Sequence, residues 1–262
     1  MLLDQKIILV TGSTTGIGAA IARACARAGA KVMIHGRDQD RAKALVQELG
    51  DDRTHYVLGD LSDADFSEKV VDETVRHFGR IDGLVNNGAI AHPVTFIEDC
   101  DARTFDAIAA INLRSPVLST RRAVKYFRQQ GSGTVLSIGS INAYCGQSDL
   151  LLYAMFKGAL MTMTRNLANT LGPEKIRFNQ INVGWTLTEN EIALKKKEGL
   201  PDDWPSKVPQ AFAPFGSLLT PENVAEHAVF WLSDASYPVT GSVCEVETYP
   251  IIGRNLIGDL NL

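Results

Sequence analysis

The chain of 262 residues predicts an α/β protein with one domain, a doubly wound parallel sheet and helices on both faces of that sheet. Three observations predict this fold class. Short apolar runs alternate with stretches of helical periodicity, the first run ends in a glycine cluster, and no linker rich in Pro, Gly or Ser divides the sequence. Because parallel neighbours need a crossover helix, this alternation favours a parallel sheet that binds ligands at the carboxyl ends of its strands.

The first part of the chain contains four strands and the helices between them. Residues 6–10 form an apolar, β-branched run, and small and apolar residues then recur at helical spacing over residues 17–28. Gly50 and Gly79 end the next two predicted helices, as glycine often does. Those helices cover residues 39–49 and 63–78, and the strands beside them cover residues 31–34, 55–58 and 83–85.

The second part continues the alternation until a long insertion interrupts it. A long helix from about residue 102 stops at Gly131. The elements predicted after it are a strand at 134–138, a helix at 151–171, a strand at 176–183, a helix at 221–232 and a strand near 242–246. Residues 185–219 contain four prolines among aromatic residues and lysines. A long insertion at the carboxyl edge is usually functional, so we expect a lid there.

Charge and apolar patterning restrict the function classes. The chain has 26 basic and 30 acidic residues, and its formal net charge of -4 provides no general attraction for nucleic acid. Its apolar stretches are broken well before the roughly 18 residues of a membrane span, and its start lacks the basic residues of a signal peptide. We expect no nucleic-acid or membrane partner and a cytoplasmic location. Its four cysteines and five histidines show no CxxC or HxxxH spacing, so no metal is predicted.

Residues 11–18 read Thr-Gly-Ser-Thr-Thr-Gly-Ile-Gly and lie between the first predicted strand and its helix. Glycines at this place permit a tight turn and a close approach to a diphosphate that faces the helix N-terminus. A simple tight turn is the alternative, but the position after the first strand favours nucleotide binding. The residues expected to hold a dinucleotide here are Gly12, Ser13, Thr14, Thr15, Gly16, Ile17 and Gly18.

The spacing of these glycines after a threonine resembles that of the short-chain dehydrogenase/reductase family. Other motifs at that family's positions occur along nearly the whole chain. Asp60 and Leu61 resemble the pair that contacts adenine, and residues 86–89 read Asn-Asn-Gly-Ala where the family has Asn-Asn-Ala-Gly. The resemblance implies a Rossmann-like fold, an oxidoreductase that uses NAD or NADP, and cofactor contacts from Asn87 and Gly88.

Tyr153 and Lys157 lie four residues apart in a predicted helix and therefore share one face. A phenol with a reference pKa of about 10 is a poor base at neutral pH, but a neighbouring ammonium and an oxidised nicotinamide favour the phenolate. A core tyrosine beside a solvated lysine is the alternative. The resemblance implies that both residues also bind the cofactor and that Ser140, just beyond the fifth predicted strand, holds the substrate oxygen. Ser137 lies within that strand and should point into packing.

Asn112 matches the family's fourth catalytic residue, whose main-chain carbonyl holds a water that links the lysine to solvent. Pro116 follows four residues later and has no amide hydrogen, so the Asn112 carbonyl should lose its helical partner and the helix should kink. The kink predicts a free acceptor where the resemblance requires one. A proline kink without a chemical role is the alternative.

The end of the second predicted strand indicates which dinucleotide binds. Gly36 and Arg37 stand there, so no carboxylate occupies the position that would bind an adenosine 2′-hydroxyl. The Arg37 guanidinium suits a 2′-phosphate, and we expect NADP, with NAD as the alternative. Asp38 and the lack of a basic residue at position 15 count against NADP.

The loop after the sixth predicted strand departs from the family pattern. Most relatives have Pro-Gly there, and this chain has Val183 and Gly184. Gly184 still allows a close backbone approach, and Thr186 and Thr188 follow it. We expect all three to contact the cofactor, with Thr188 at the carboxamide or the diphosphate.

Substrate candidates near the carboxyl edge carry amide or ring donors. They are His92, Asn142, Gln147, Trp185 and Asn190. Such groups suit a polyhydroxylated substrate, and by resemblance to sugar-oxidising relatives we favour an aldose or polyol dehydrogenase. A 3-oxoacyl thioester (ACP or CoA) reductase and a non-catalytic dinucleotide-sensing protein are the alternatives. Members of the family are commonly tetramers, which implies a homotetramer.

Overall fold

Seven parallel strands form one sheet in the computed structural model, which describes residues 1–249. The strand order is β3-β2-β1-β4-β5-β6-β7. Every neighbouring pair is parallel. The strands are β1 (Ile7–Val10), β2 (Lys31–Gly36), β3 (Thr54–Leu58), β4 (Gly83–Asn86), β5 (Gly133–Ser140), β6 (Ile176–Val183) and β7 (Val243–Val246).

Helices cover both faces of the sheet, as predicted. They are α1 (Gly16–Arg27), α2 (Gln39–Leu49), α3 (Ala64–Phe78), α4 (Ala102–Ala109), α5 (Ser115–Gln130), α6 (Leu151–Leu171), α7 (Glu189–Lys197) and α8 (Pro221–Leu232). Side chains of α1, α2 and α8 pack on one face, and those of α3, α5 and α6 pack on the other. Because successive strand residues point to opposite faces, Ile8 belongs to the first core and Leu9 to the second.

The sequence located these strands and most of these helices correctly, with bounds that differ by one or two residues. The doubly wound parallel sheet is confirmed. Residues 250–262, which the predicted single domain includes, lie outside the described residues. None of the helices within residues 1–249 has the length and apolar character required to cross a bilayer.

The long helix predicted from residue 102 to Gly131 is wrong as a single α-helix. It consists of α4, a π-helical turn at Ala110–Arg114 and α5. The Ser115 amide bonds to the Ala110 carbonyl, five residues back. Pro116 lies at the start of α5, where its missing amide hydrogen is tolerated. The change at Pro116 is therefore a widened turn in a continuous helical segment, and π turns of this kind are frequent at functional sites.

The insertion at residues 185–219 contains a helix, α7, and a small apolar core of its own. Trp204, Ala213 and Leu218 are buried together, with Trp185 packed against them. A backbone bridge between Thr186 and Leu219 closes the base of the insertion. The insertion is thus a packed unit attached to the carboxyl edge next to β6.

The sheet order reverses between β1 and β4, which are neighbours although two strands separate them in sequence. Crossovers leave this point in opposite directions and open a crevice at the carboxyl ends of the strands, where doubly wound folds bind ligands. The glycine loop follows β1, and residues 87–89 follow β4. Both motifs predicted to hold the cofactor therefore meet at this crevice.

Candidate active site

The glycine loop and the loops after β2, β3 and β4 surround a cavity of about 350 Å³. Thr15, the N-cap of α1, makes no side-chain cap bond, and the first turn of α1 holds no acidic residue. The positive end of α1 is therefore available to an anion. Predicted residues that line the cavity are Gly12, Thr14, Thr15, Gly16, Ile17, Gly18, Arg37, Asp60, Leu61, Asn87, Gly88, Thr188 and Asn190.

Two glycines of the loop are required by close contacts. Gly12 has a φ of +62°, and a Cβ there would lie 2.8 Å from the Gly88 Cα. A Cβ at Gly18 would overlap the Gly12 carbonyl. The amide of Asn87 also donates to the Thr11 and Gly12 carbonyls, at 2.9 Å each. The loop is therefore folded tightly against the segment after β4, as a cradle for a diphosphate requires.

Ser13 does not line this cavity, although the sequence predicted a cofactor contact. Its side chain is fully buried. Its hydroxyl donates to the Val10 carbonyl at 2.7 Å and accepts the His35 amide at 2.9 Å. Ser13 thus fixes the loop to β1 and β2 and leaves the ligand contacts to its neighbours.

The Arg37 side chain lines the cavity after β2 and is exposed. Its guanidinium is 3.5 Å from the Asp60 carboxylate, an exposed ion pair of the kind that contributes little to stability. The Asp38 carboxylate caps α2 and pairs with Arg41 at 3.4 Å. Asp38 is therefore partly neutralised, which weakens the repulsion that it was expected to exert on a 2′-phosphate.

Packing is a second reason for glycine at position 36, in addition to the cofactor preference predicted from the sequence. A Cβ at this position would meet the Thr14 side chain, with 2.6 Å to the Thr14 Oγ1. A carboxylate at the end of β2 therefore does not fit beside the present glycine loop.

The carboxyl end of β5 lies beside the first two turns of α6. This arrangement brings together Ser140, Tyr153 and Lys157. The Lys157 ammonium lies 5.5 Å from the centre of the Tyr153 ring, and the Ser140 side chain is near enough to the Tyr153 phenol to lower its pKa. Lys157 is buried and donates to the Ile138 carbonyl at 2.6 Å. Ser140 is the last residue of β5 and not beyond it, while Ser137 is buried within that strand. Tyr153 and Lys157 do not line the dinucleotide cavity.

The pKa values of the pair differ from the sequence prediction. Burial raises the pKa of Tyr153, and the Ser140 side chain lowers it by less. The loss of solvation of the phenolate is therefore the largest effect on this pKa, and the net shift is opposite in direction to the one that the i, i+4 spacing suggests. Burial lowers the pKa of Lys157 to about 8.

Asn112 lies in the π turn and is buried. Its side chain donates to the Ile90 carbonyl at 2.7 Å and accepts the Ile90 amide at 2.9 Å. Pro116 has no amide hydrogen, so the α-helical bond to the Asn112 carbonyl cannot form. The side chain therefore has a second role that the sequence did not indicate, since it closes the loop after β4.

Among the three residues predicted after β6, only Thr188 lines the dinucleotide cavity. Thr188 caps α7 and accepts the Glu191 amide at 3.1 Å. Thr186 is buried and donates to the Gly184 carbonyl at 3.1 Å. A Cβ at Gly184 would overlap the Glu247 carboxylate, so a side chain there would displace Glu247.

The structure separates the five substrate candidates. Asn142 and Gln147 line a second cavity of about 800 Å³ beside α6. Asn190 instead faces the glycine loop, where its amide donates to the Thr15 hydroxyl at 3.2 Å. Trp185 stacks on Trp204 in the insertion. His92 is exposed in the loop after β4.

Sequence reasoning missed several residues that shape these cavities. His35 and Gly59 line the dinucleotide cavity, and Phe96, Ile97 and Met155 form an apolar wall of the second one. His35 follows a recognisable strand, but nothing in the sequence shows which loop its ring contacts. The apolar wall gave no signal, because isolated apolar residues are common on surfaces.

Thr95 is a further missed residue, and it holds the start of α6 from a distant loop. Leu150, the N-cap of α6, has no side-chain cap. The Thr95 hydroxyl instead accepts the Leu152 amide at 3.2 Å, and the Thr95 carbonyl accepts the Leu151 amide at 3.1 Å. Thr95 thus fixes the turn that carries Tyr153.

A dinucleotide cavity at the switch point, together with a half-buried tyrosine and a buried lysine one helical turn apart, is typical of nicotinamide-dependent oxidoreductases. Residues 12–248 match the family model described as Enoyl-(Acyl carrier protein) reductase. The chain is 33% identical over 253 residues to the D-beta-hydroxybutyrate dehydrogenase of Cupriavidus necator. The alignment covers 94% of this chain and 98% of that protein. It is 34% identical over 249 residues to the L-rhamnose 1-dehydrogenase (NAD(P)(+)) of Azotobacter vinelandii, with coverages of 92% and 95%.

A solved structure agrees with these relatives. The 3-ketoacyl-(acyl-carrier-protein) reductase from Brucella melitensis, complexed with NADH, has a TM-score of 0.83 and 30% identity over 94% of this chain and 98% of that one. The chain belongs to the short-chain dehydrogenase/reductase family, and the predicted resemblance is confirmed. It is an NAD(P)-dependent oxidoreductase that acts on CH–OH groups.

Thr95→Val removes the hydroxyl that caps α6 and keeps the shape of the side chain. We expect the free energy of unfolding to fall by about 1 kcal/mol, as for a lost N-cap. We also expect kcat to fall with dinucleotide affinity unchanged, because α6 carries Tyr153. Urea denaturation and steady-state kinetics measure both effects, with Thr95→Ser as the control that keeps the hydroxyl. Equal stability and equal kcat of the two variants would contradict the cap.

Proposed function

We propose that Tyr153 carries the proton while a hydride passes between the nicotinamide and the carbinol carbon of a small substrate. The position of the Lys157 ammonium 5.5 Å from the centre of the Tyr153 ring, with Ser140 near the phenol, carries this proposal. Ser140 orients the substrate oxygen, and Tyr153 exchanges the proton with that oxygen. The bound dinucleotide supplies the hydride acceptor or donor.

The protonation state of Tyr153 supports a role in both directions. With a raised pKa the phenol keeps its proton at neutral pH and is a proton donor for carbonyl reduction. Alcohol oxidation requires the phenolate, which the positive charges of Lys157 and of an oxidised nicotinamide favour. Lys157 would hold the nicotinamide ribose, and the Asn112 carbonyl would complete the path by which protons reach solvent.

We propose an aldose or polyol as the substrate. The amide donors of Asn142 and Gln147 in the second cavity support it, because such groups suit several hydroxyls. The similarity to the L-rhamnose 1-dehydrogenase also supports it. His92, Trp185 and Asn190 lack comparable support, since their side chains do not line that cavity.

A 3-oxoacyl thioester is the second candidate substrate. Phe96, Ile97 and Met155 give the second cavity an apolar wall against which an acyl chain would pack. The similarity to the 3-ketoacyl-(acyl-carrier-protein) reductase is in line with this candidate. The apolar wall is the specific observation that favours it over other carbonyl compounds.

NADP is the proposed cofactor, and NAD is the alternative. The donors of Arg37 in the cavity wall after β2, the capping role of Asp38 and the lack of room for a carboxylate at Gly36 support NADP. The glycine loop, Asn87, Gly88, Asp60 and Leu61 would hold the parts that the two dinucleotides share.

A homotetramer is the proposed assembly. Apolar side chains stand exposed along the outer surface of α4, α5 and α6, among them Phe105, Val117 and Met155, with exposures of 40%, 42% and 51%. Burial of these side chains against a second copy would favour association.

The cytoplasm is the proposed location. The four cysteines are free thiols in the structure, and Cys145 is exposed. Free thiols persist in a reducing compartment, which supports this proposal.

Tyr153→Phe removes the proposed proton carrier and keeps the ring. We expect kcat to fall by at least about a hundredfold with dinucleotide affinity unchanged, because general acid–base groups contribute that much. The assay offers aldoses, polyols and 3-oxoacyl thioesters with NAD and NADP and records absorbance of the reduced nicotinamide. Tyr237→Phe, at an exposed tyrosine after α8 that lines neither cavity, is the control.

The same panel separates the alternatives. Turnover of sugars but not thioesters supports the first substrate class, and the reverse supports the second. Binding of dinucleotide without turnover of any compound would support a sensing protein. Near-normal turnover by Tyr153→Phe would exclude Tyr153 as the proton carrier.

Arg37→Ala removes the proposed 2′-phosphate ligand. We expect the KM for NADP to rise about tenfold to a hundredfold and the KM for NAD to change little, because a bond to a charged group contributes about 1.5–3 kcal/mol. Steady-state kinetics with both dinucleotides measure this, and Arg53→Ala, an exposed arginine after α2, is the control. An equal change for both dinucleotides would argue against a 2′-phosphate contact.

Light scattering after size-exclusion chromatography tests the assembly. We expect the mass of four chains for the wild type and a smaller mass for Val117→Glu combined with Met155→Glu, because buried charges oppose association. Phe215→Glu changes an exposed residue of the insertion and serves as the control. A single-chain mass for the wild type would contradict the tetramer.

A further inference from the structure

The ring of His35 connects two walls of the dinucleotide cavity. His35 lies in β2, is 3% exposed and also lines the cavity. Its Nδ1 accepts the Gly12 amide at 2.9 Å, and its Nε2 lies 3.2 Å from the Gly59 carbonyl. Gly12 belongs to the glycine loop, and Gly59 precedes Asp60 and Leu61. The ring therefore spans the distance between the phosphate end and the adenine end.

These contacts require one form of the imidazole. The Gly12 amide is a donor, so Nδ1 must be an unprotonated acceptor. Nε2 then carries the hydrogen and donates it to the Gly59 carbonyl. A second proton on the ring would face the Gly12 amide hydrogen and break that bond.

The rest of the Gly12 peptide environment is also fixed. The Ser13 amide donates to the His35 carbonyl at 2.7 Å, and the Gly12 carbonyl accepts the Asn87 amide at 2.9 Å. A Cβ at Gly12 would meet Gly88, so the loop has little room to move toward β4. Loss of the ring acceptor would leave the Gly12 amide, on the β2 side, as the unpaired group.

We propose that His35 is a positioning residue for dinucleotide binding, whose neutral ring holds the glycine loop at the distance from Gly59 that the adenosine diphosphate half of the cofactor requires. The inference rests on the proposed function only in placing a dinucleotide in this cavity. The contacts lie on the part shared by NAD and NADP, so both dinucleotides should depend on them equally.

The proposal has a pH dependence. Burial lowers the pKa of His35 to about 4, while Asp60, after β3, acts to raise it and Arg37, at the end of β2, acts to lower it. The Phe66 ring of α3 packs beside the imidazole. Since the folded pKa lies below the unfolded value of 6.5, the unfolded chain binds the proton more readily between these values. Stability that the neutral ring provides is therefore present above pH 6.5 and is lost as the pH falls toward 4.

Two variants separate the acceptor from the shape of the side chain. His35→Asn places an amide oxygen near the position of Nδ1 and keeps an acceptor for Gly12. His35→Leu keeps bulk and removes the acceptor. Quenching of intrinsic fluorescence by NAD and by NADP gives the dissociation constants, and thermal unfolding confirms the fold. His55→Leu, a histidine of β3 that stacks on His77, is the matched control.

We expect His35→Asn to bind both dinucleotides within about threefold of the wild type and His35→Leu to bind both about tenfold more weakly, as for an unpaired buried donor. If His35→Leu does not fold, His35→Gln replaces it, because its longer side chain reaches Gly59 and leaves Gly12 unpaired. Between pH 6.5 and 4.5 the free energy of unfolding of the wild type should fall more steeply than that of His35→Asn, because the unfolded wild-type chain takes up a proton on His35 in this range. The comparison of the two proteins cancels the titration of all other groups.

The outcomes distinguish a failure of the proposed function from a failure of the positioning role of His35. A wild-type protein that binds neither dinucleotide would overturn the proposed function and this inference with it. Wild-type binding that His35→Leu or His35→Gln retains in full would overturn this inference alone, as would an equal pH dependence of the wild type and His35→Asn.

Discussion

The hydrogen bond from the Lys157 ammonium to the Ile138 carbonyl is the contact on which the arrangement of the site depends. It joins α6 to the end of β5 at a distance of 2.6 Å, in a buried environment. A buried charge without partners is costly, so the bond opposes any displacement of α6 along the sheet. Since Ser140 follows Ile138 by two residues and Tyr153 precedes Lys157 by one helical turn, the same bond sets how the serine hydroxyl and the phenol face each other. Burial then has opposite chemical effects on the pair, because it lowers the pKa of Lys157 and raises that of Tyr153.

The cofactor end is held by a different principle, namely close contact between backbones. Gly12 lies so close to Gly88 that position 12 has no room for a side chain, and the side-chain amide of Asn87 joins their loops. Bonds of this kind involve no titrating group apart from His35, so the cradle is insensitive to pH over the range in which that ring stays neutral. The proposed catalytic pair, Tyr153 and Lys157, by contrast consists of two titratable groups. The sheet brings both ends to one edge because all its strands run parallel, and only the carboxyl edge collects the loops after β1, β4 and β5.

The spacing of apolar residues and the glycines at element ends were enough to predict the sheet, both helical layers and the loops that form the candidate site. Gly50, Gly79 and Gly131 mark helix ends that the structure confirms. The sequence could not show which partners a side chain finds in the folded protein. Ser13 was expected at the ligand, but its partners are Val10 and His35, and no local pattern shows that choice. The rise in the pKa of Tyr153 was missed for the same reason, because burial is a property of the folded environment and the i, i+4 spacing reports only the neighbouring charge.

The π turn at Asn112 shows how one segment serves both ends of the site. Pro116 removes the α-helical donor for the Asn112 carbonyl, and the added residue of the turn lets the helix continue without a break. The Asn112 side chain then bonds to both backbone groups of Ile90, in the loop that begins with Asn87 and Gly88. The side chain of Asn112 thus acts on the cofactor loop, whereas its main-chain carbonyl is the group that the proposed mechanism places on the proton path from Lys157. Loss of the Asn112 side chain would disturb the cradle even with the carbonyl in place. A substitution at Pro116 would instead change the surroundings of the carbonyl and leave the side-chain bonds to Ile90 intact, so it is the change that separates the two roles.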